Sequence, residues 1–108
     1  MTFIMQVEAP PLREEADGAL RVGDSRVLLE MVIRAFEDGA TAETIVQRFP
    51  SLKLSDVYSV IAYYLRHRDE VDDYLQQREK MARQIKDRIE GQQDLTAIRE
   101  RLQAKRQG

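Results

Sequence analysis

The chain contains no cysteine, a single histidine, and few prolines and glycines. The absence of cysteine excludes a disulfide framework and thiolate zinc sites, and it fits a reducing compartment. A metal site needs several ligands, and the chain has one histidine, His67. Its two neighbouring arginines indicate the solvated end of a helix. The sequence has no glycine-rich phosphate loop, and it offers no second histidine or cysteine for a nucleophile–base pair. We therefore expect no enzyme activity, no metal and no cofactor.

Long apolar runs are missing as well. No stretch approaches the roughly 20 apolar residues that cross a membrane. The opening MTFIMQVEAP lacks the basic region of a signal peptide. We expect a cytoplasmic protein that binds neither a membrane nor a small-molecule substrate.

The charges that are present are unevenly distributed. Of the 108 residues, 43% are hydrophobic and 33% are charged, which suits one domain with a modest core. The formal net charge is −2, yet residues 76–108 carry nine basic and five acidic side chains, whereas residues 1–75 carry eight basic and fourteen acidic ones. An acidic body followed by a basic tail indicates two separate roles.

Two β segments are predicted ahead of the helices. Residues 3–7 have strand composition, with Phe3, Met5 and Val7 alternating against their neighbours, and two prolines at positions 10 and 11 end this strand. Residues 12–22 predict a hairpin. Short strands of this kind are marginal alone, so they must pack on the helices or pair with another chain.

The predicted hairpin turns at Asp17-Gly18, whose residue types suit the two positive-φ positions of a tight two-residue turn. That register sets Glu14 opposite Arg21. We expect the two side chains to form a cross-strand ion pair.

Three short helices follow in the prediction. The first spans residues 28–38 and ends at Gly39. The second is capped by Thr41 and ended by Pro50, and the third is capped by Ser55. The predicted buried positions, at helical spacing, are Leu29, Val32, Ile33 and Phe36, then Ala42, Ile45, Val46 and Phe49, then Val57, Val60, Ile61, Tyr64 and Leu65.

A fourth helix is predicted from Asp69 to about Glu90, after the basic residues 66–68 have closed the third. Gly91 interrupts it in this interpretation, and Asp94 caps a last helix. The predicted fold is mainly α, with an N-terminal β element at residues 1–27, a three-helix, helix–turn–helix-like bundle at 28–75 and a long basic amphipathic helical tail at 76–108.

The third helix raises the question of nucleic-acid recognition. In a helix–turn–helix motif the second of the two helices reads DNA, and here that helix is the third of the chain. Its tyrosines, at helical spacing, fit a core better than a base-stacking surface. Few cations lie on its exposed face, so we expect DNA binding by one protomer to be weak. The candidate DNA contacts are Arg48, Lys53, Ser55, Ser59, Tyr63 and Arg66.

The tail is a candidate partner-binding element, because it is basic, amphipathic and extended. Its clean heptads are too few to predict a lasting coiled coil. A helix that packs back on the body, or on a second copy, is the simpler interpretation. The candidate partner contacts are Ile85, Ile89, Leu95, Ile98 and Leu102, with Arg99, Arg101, Lys105 and Arg106.

Several stretches of the sequence match a known family: Gly23 to Val27, Gly39, and the run FPSLKLSDVYSVIAYYL. Across residues 11–75 the chain resembles the bacterial domain-of-unknown-function 433 family. The family pattern has a Gly-Thr pair where Asp24 and Ser25 stand here. The resemblance implies a helix–turn–helix-like domain that acts as the antitoxin of a PIN-type nuclease.

We therefore expect a homodimeric antitoxin of a bacterial type II toxin–antitoxin pair, which neutralises a PIN-like ribonuclease through its tail. The alternative is a DNA-binding transcriptional regulator that contacts operator DNA weakly, with its own operon as one candidate target. A second alternative is a non-catalytic helical adaptor.

Overall fold

The fold, seen in a computed structural model, is mainly α with an N-terminal β-hairpin, as predicted. The structure describes residues 2–107, and for residues 92–100 and 103–107 it describes the backbone alone. The chain divides into two units, Met1–Val71 and Asp72–Gly108. The elements are β1 Leu12–Glu14, β2 Leu20–Val22, α1 Leu29–Glu37, α2 Ala42–Arg48, α3 Leu54–Arg66 and α4 Arg68–Gln107.

The hairpin forms where it was predicted, but its register differs by one residue. Glu14 pairs with Leu20, and Arg13 pairs with Arg21. The turn has three residues rather than two: the Gly18 N–H donates to the Glu15 carbonyl at 3.0 Å, and only Gly18 has a positive φ, of 86°. This is a type I turn closed by a left-handed glycine, a common three-residue hairpin loop. The predicted Glu14–Arg21 pair is therefore wrong, because the extra loop residue shifts the register.

The predicted first strand is also wrong. Residues 3–7 form no strand and are exposed along their whole length. Their composition suits a strand, but a strand exists only when a neighbour accepts its backbone hydrogen bonds. No described residue of the same chain supplies that neighbour.

The caps of the first two helices are confirmed. Gly39 has a φ of 95°, and its N–H donates to Phe36 O while Ala40 N donates to Ala35 O, both at 3.0 Å. These bonds form a Schellman motif, which satisfies the last carbonyls of α1. The Thr41 hydroxyl accepts from the Thr44 N–H at 3.1 Å and caps α2.

The cap predicted for α3 is wrong. Helix α3 begins at Leu54 with Lys53 at the N-cap, and Ser55 lies inside the first turn. Lys53 makes no side-chain cap hydrogen bond. The backbone of residues 49–53 completes the turn instead, with the Leu52 N–H donating to Phe49 O at 3.0 Å.

The core of the first unit lies between α1, α2, α3 and β2. Most of the predicted stripes are buried, whereas Val46, Phe49, Phe36 and Ile61 are half-buried and Leu65 is exposed. Each fully buried aliphatic side chain contributes about 1.5–3 kcal/mol. The largest fully buried side chains are Val22, Val32, Ile33, Ile45, Val57 and Val60.

Helix α4 runs without interruption from Arg68 to Gln107, so the predicted break at Gly91 and the last helix capped by Asp94 are wrong. A glycine inside an exposed helix costs only about 1 kcal/mol relative to alanine. At 1.5 Å per residue, the 40-residue helix is about 60 Å long.

Candidate functional site

The outward face of α3 carries the residues predicted to contact DNA. On α3, Ser55, Ser59 and Arg66 are exposed and Tyr63 is half-buried, all at the spacing of one helix face. Before the helix, Arg48 and Lys53 are also exposed. The structure therefore brings all six predicted residues to the surface around α2 and α3.

The surroundings of this face are unfavourable for phosphate. The Tyr63 ring stacks on His67 with centroids 4.2 Å apart, and its carbonyl lies 3.1 Å from His67 Nδ1. Residues 8–10 line a cavity of about 360 Å³ together with Ser59, Tyr63 and Arg66. Glu8 is one of them, so a carboxylate lies beside the few cations, and the aromatic ring already has a stacking partner. Both features lower the affinity of this face for nucleic acid.

Tyr64, on the opposite face of α3, is part of the core, as the sequence predicts for helix-spaced aromatics. It is 4% exposed, and its ring meets Phe36 edge-to-face with centroids 6.3 Å apart. Its hydroxyl donates to Glu37 Oε1 at 2.6 Å, and the Arg68 guanidinium lies 5.3 Å from the ring centroid. These contacts join the end of α1 to the end of α3.

The loop from Gly23 to Val27 has a structural role. The buried Ser25 hydroxyl donates to Val22 O at 2.6 Å and accepts from the Val27 N–H at 3.1 Å. Gly23 has a φ of 57°, and a Cβ built there would lie 2.5 Å from Asp56 Oδ2. The positive φ favours glycine at this position, and an added Cβ would also displace the Asp56 carboxylate of α3.

A cluster of three arginines on the hairpin was not predicted. Arg13 and Arg21 face each other across the ladder, and Glu15 Oε1 lies 3.9 Å from Arg13 Nη2 and 3.6 Å from Arg21 Nε. With Arg26 they line an open cavity of about 510 Å³. Glu15 and Asp17 also line it, and Arg13 and Arg21 donate to the carbonyls of the loop. The cluster could be predicted only from the correct hairpin register. The predicted two-residue turn places Glu14, not Arg13, opposite Arg21.

An exposed hydrogen bond joins α2 to α3. The Tyr58 hydroxyl donates to Glu43 Oε1. This bond lowers the pKa of the Glu43 carboxyl from its ordinary value of 4.5 and raises the pKa of the Tyr58 hydroxyl from its ordinary value of 10.0. Tyr58 is 51% exposed, so the predicted core position is wrong for this tyrosine, whose hydroxyl links the two helices at the surface.

The second unit presents apolar side chains to solvent. Ile85 is 55% exposed and Ile89 is 49% exposed, and Met81 one turn earlier is exposed as well. At four-residue spacing the three lie on one side of α4. Ion pairs flank them, from Arg83 to Glu79 at 2.6 Å and from Lys86 to Glu90 at 3.8 Å.

The predicted partner contacts do not all share this side of the helix. Leu102 and Arg101 are exposed. In an uninterrupted helix Leu102 lies about 100° around the axis from Ile85, seventeen residues away. Ile85 and Leu102 therefore face different sides of α4, and their contact with a partner stays a prediction. The side chains of Leu95, Ile98, Arg99, Lys105 and Arg106 lie outside the described residues.

Among the residues with described side chains, no group of three or more histidine, cysteine, aspartate or glutamate residues could hold a metal ion. Within the same part of the chain, no helix has both the length and the apolar character to cross a membrane.

The hairpin, the three packed helices and the turn between α2 and α3 define a small helix–turn–helix-like domain. Residues 14–64 match the sequence model of the family described as protein of unknown function (DUF433). The match lies within the predicted range of 11–75 and confirms the resemblance. No curated protein and no solved structure matches the chain.

Proposed function

We propose that this protein is a cytoplasmic, homodimeric antitoxin of a bacterial toxin–antitoxin pair, without enzyme activity of its own, which binds and neutralises a PIN-like ribonuclease through α4. The observation that carries the proposal is the exposed apolar side of α4 formed by Met81, Ile85 and Ile89. We name these three residues the tail anchor.

The tail anchor is unusual for its surroundings. Every residue from Glu79 to Gly91 is exposed, and most of these residues other than the anchor are charged or polar. Leaving large apolar side chains in water forgoes about 1.5–3 kcal/mol for each one that a partner would bury. Ile85 and Ile89 are about half exposed, so a partner helix or groove that covers them would gain about half of that for each, or about 1.5–3 kcal/mol for the two together.

The charge of the tail fits an acidic partner. Residues 76–108 carry nine basic and five acidic side chains. A ribonuclease of PIN type holds its catalytic Mg²⁺ between carboxylates, and carboxylates are the ligands that this ion prefers. Cations of the tail would be attracted to that acidic site while the tail anchor supplies apolar contact.

The test is capture of the tagged product of the neighbouring nuclease gene by the full-length protein and by its Ile85→Asp variant. The variant places a carboxylate in the apolar contact, which costs several kcal/mol when no partner pairs with it. We expect the dissociation constant to rise at least about a hundred-fold. The melting temperature of the free variant should stay unchanged, because residue 85 is exposed.

The matched control is Gln76→Asp. It makes the same charge change in the same helix, at an exposed position about 180° around the axis from Ile85. This variant should capture the nuclease like the unmodified protein. Equal capture by Ile85→Asp and the unmodified protein, or equal loss in both variants, would contradict binding through the tail anchor.

A second candidate function, operator DNA binding, is supported by the helix–turn–helix-like arrangement and the exposed cations Arg48, Lys53 and Arg66. We rank it second because Glu8 and the engaged Tyr63 weaken the α3 face. Binding through so few phosphate contacts should be weak and should fall steeply with salt. Tight, sequence-selective binding at physiological salt would reverse this order.

A further inference from the structure

Residues 2–9, here named the arm, form an exposed extended segment rich in apolar side chains. Phe3, Ile4, Met5 and Val7 are 79–102% exposed, and the arm forms no regular secondary structure. Apolar side chains this open within a few residues are rare on a protein that acts as a monomer. The alternation of the arm is that of a strand with one apolar face.

The hairpin offers one open edge. The outer side of β2 is covered, since the Val22 N–H donates to Val27 O at 2.9 Å and Arg21 bridges to Leu28. On β1, the hydrogen bonds at residues 11 and 15 point toward β2, so the Leu12 carbonyl and the backbone groups of Glu14 point outward, while the Leu12 N–H donates to Pro10 O at 2.8 Å. Within the described residues no strand lies on that side. An uncovered edge is a template for pairing with another chain.

The arm does not fill the edge of its own hairpin. Only Pro10 and Pro11 stand between the arm and β1. These two residues cannot form a two-residue hairpin turn, which needs a positive φ, because the proline ring fixes φ near −65°. Residues 8–10 instead line a cavity with Ser59, Tyr63 and Arg66. A second copy of the chain can add a strand to this edge without such a turn.

We propose that two copies of this chain exchange arms, so that the arm of each protomer adds a strand to β1 of its partner. Each copy of the chain has both an arm and an open β1 edge. A two-fold axis between two copies pairs both arms with both edges at once. A different partner protein would have to cover the edge and bury the arm separately. The exchange rests on the homodimer of the proposed function, but it does not depend on the nuclease.

The test is sedimentation of the full-length protein and of the variants Ile4→Pro and Met5→Pro. In an added edge strand only alternate N–H groups bond to the neighbour, so one of these two prolines removes a ladder bond and the other does not. Both variants lose a similar apolar side chain, which makes them controls for each other. We expect one of them to raise the dimer dissociation constant at least about ten-fold more than the other.

The Ile85→Asp variant serves as the control for the tail and should remain dimeric. The domain should stay folded in both proline variants, because Ile4 and Met5 are exposed. A cooperative thermal transition in each variant will check this. A monomeric unmodified protein at about 200 µM, equal dissociation constants for the two proline variants, or a dimer lost only through Ile85→Asp would overturn the exchange. Failure of the unmodified dimer to capture the nuclease would instead count against the tail proposal and leave the exchange standing.

Discussion

Replacing Ser25 by alanine tests how the loop between β2 and α1 is held. Ser25 is 6% exposed, and its hydroxyl bridges the Val22 carbonyl and the Val27 N–H. The alanine variant removes both bonds. Val22 O keeps the Ser25 N–H at 3.1 Å, so the carbonyl remains satisfied. The Val27 N–H, by contrast, loses the acceptor that the Ser25 hydroxyl provides.

The expected loss follows from these two bonds. An unpaired buried N–H costs about 1–3 kcal/mol, and an ordinary neutral hydrogen bond contributes about 1 kcal/mol. We expect the free energy of unfolding to fall by about 2 kcal/mol. For a domain of 60–100 residues, this corresponds to a melting temperature lower by roughly 8–16 °C.

Urea denaturation and thermal melting, both followed by circular dichroism, measure this loss. Ser59→Ala is the matched control, since Ser59 is exposed on α3 and its change should stay within about 0.5 kcal/mol. Ser25→Thr keeps the hydroxyl and should keep most of the stability. If Ser25→Ala and Ser59→Ala lose the same free energy, or if both stay within about 0.5 kcal/mol, the loop is not held by this hydroxyl.

Two further predictions concern α2–α3 packing and the continuity of α4. Tyr58→Phe removes the bond to Glu43, whose pKa is lowered while that of Tyr58 is raised. The contribution of Glu43 is present above its ordinary pKa of 4.5 and is lost as the pH falls through its lower folded value. The contribution of Tyr58 is present below its ordinary pKa of 10.0 and is lost as the pH rises through its higher folded value. The difference in melting temperature between the unmodified protein and Tyr58→Phe should therefore be largest near neutral pH and shrink at both extremes, and a difference independent of pH would refute this. Gly91→Ala should raise helical content and stabilise α4 by up to about 1 kcal/mol, since a Cβ there meets no atom within 4 Å; lower helicity by circular dichroism would indicate that the glycine ends a helix after all.

The features predicted correctly from sequence are those determined by neighbouring residues. Gly39 ends α1 and Thr41 caps α2, because each acts on backbone groups within four residues of its own position. The apolar stripes were predicted for the same reason, since a helix repeats every 3.6 residues. The hairpin register was missed because Asp17-Gly18 suits both a two-residue turn and the last two positions of a three-residue loop.

The candidate site shows the same division. The sequence left open whether Ile85 and Ile89 pack against another part of the chain or face solvent, and the structure leaves both exposed. The relation of Leu102 to them could not be predicted, because it depends on whether Gly91 breaks the helix. The stacking of Tyr63 on His67 is a local contact between residues four apart, which helical spacing allows. The position of Glu8 beside α3 depends on tertiary packing, for which the sequence carries no local signal.

The family match covers the folded domain and stops before α4. The matched region ends at residue 64, so the family match covers β2, α1, α2, most of α3 and the core that they bury. Helix α4 lies wholly beyond it, and its tail anchor contributes nothing to that core because its side chains face solvent. Substitutions in the anchor can therefore change the partner without unfolding the domain. The proposal for the partner accordingly rests on the exposed residues of α4 and on their charge.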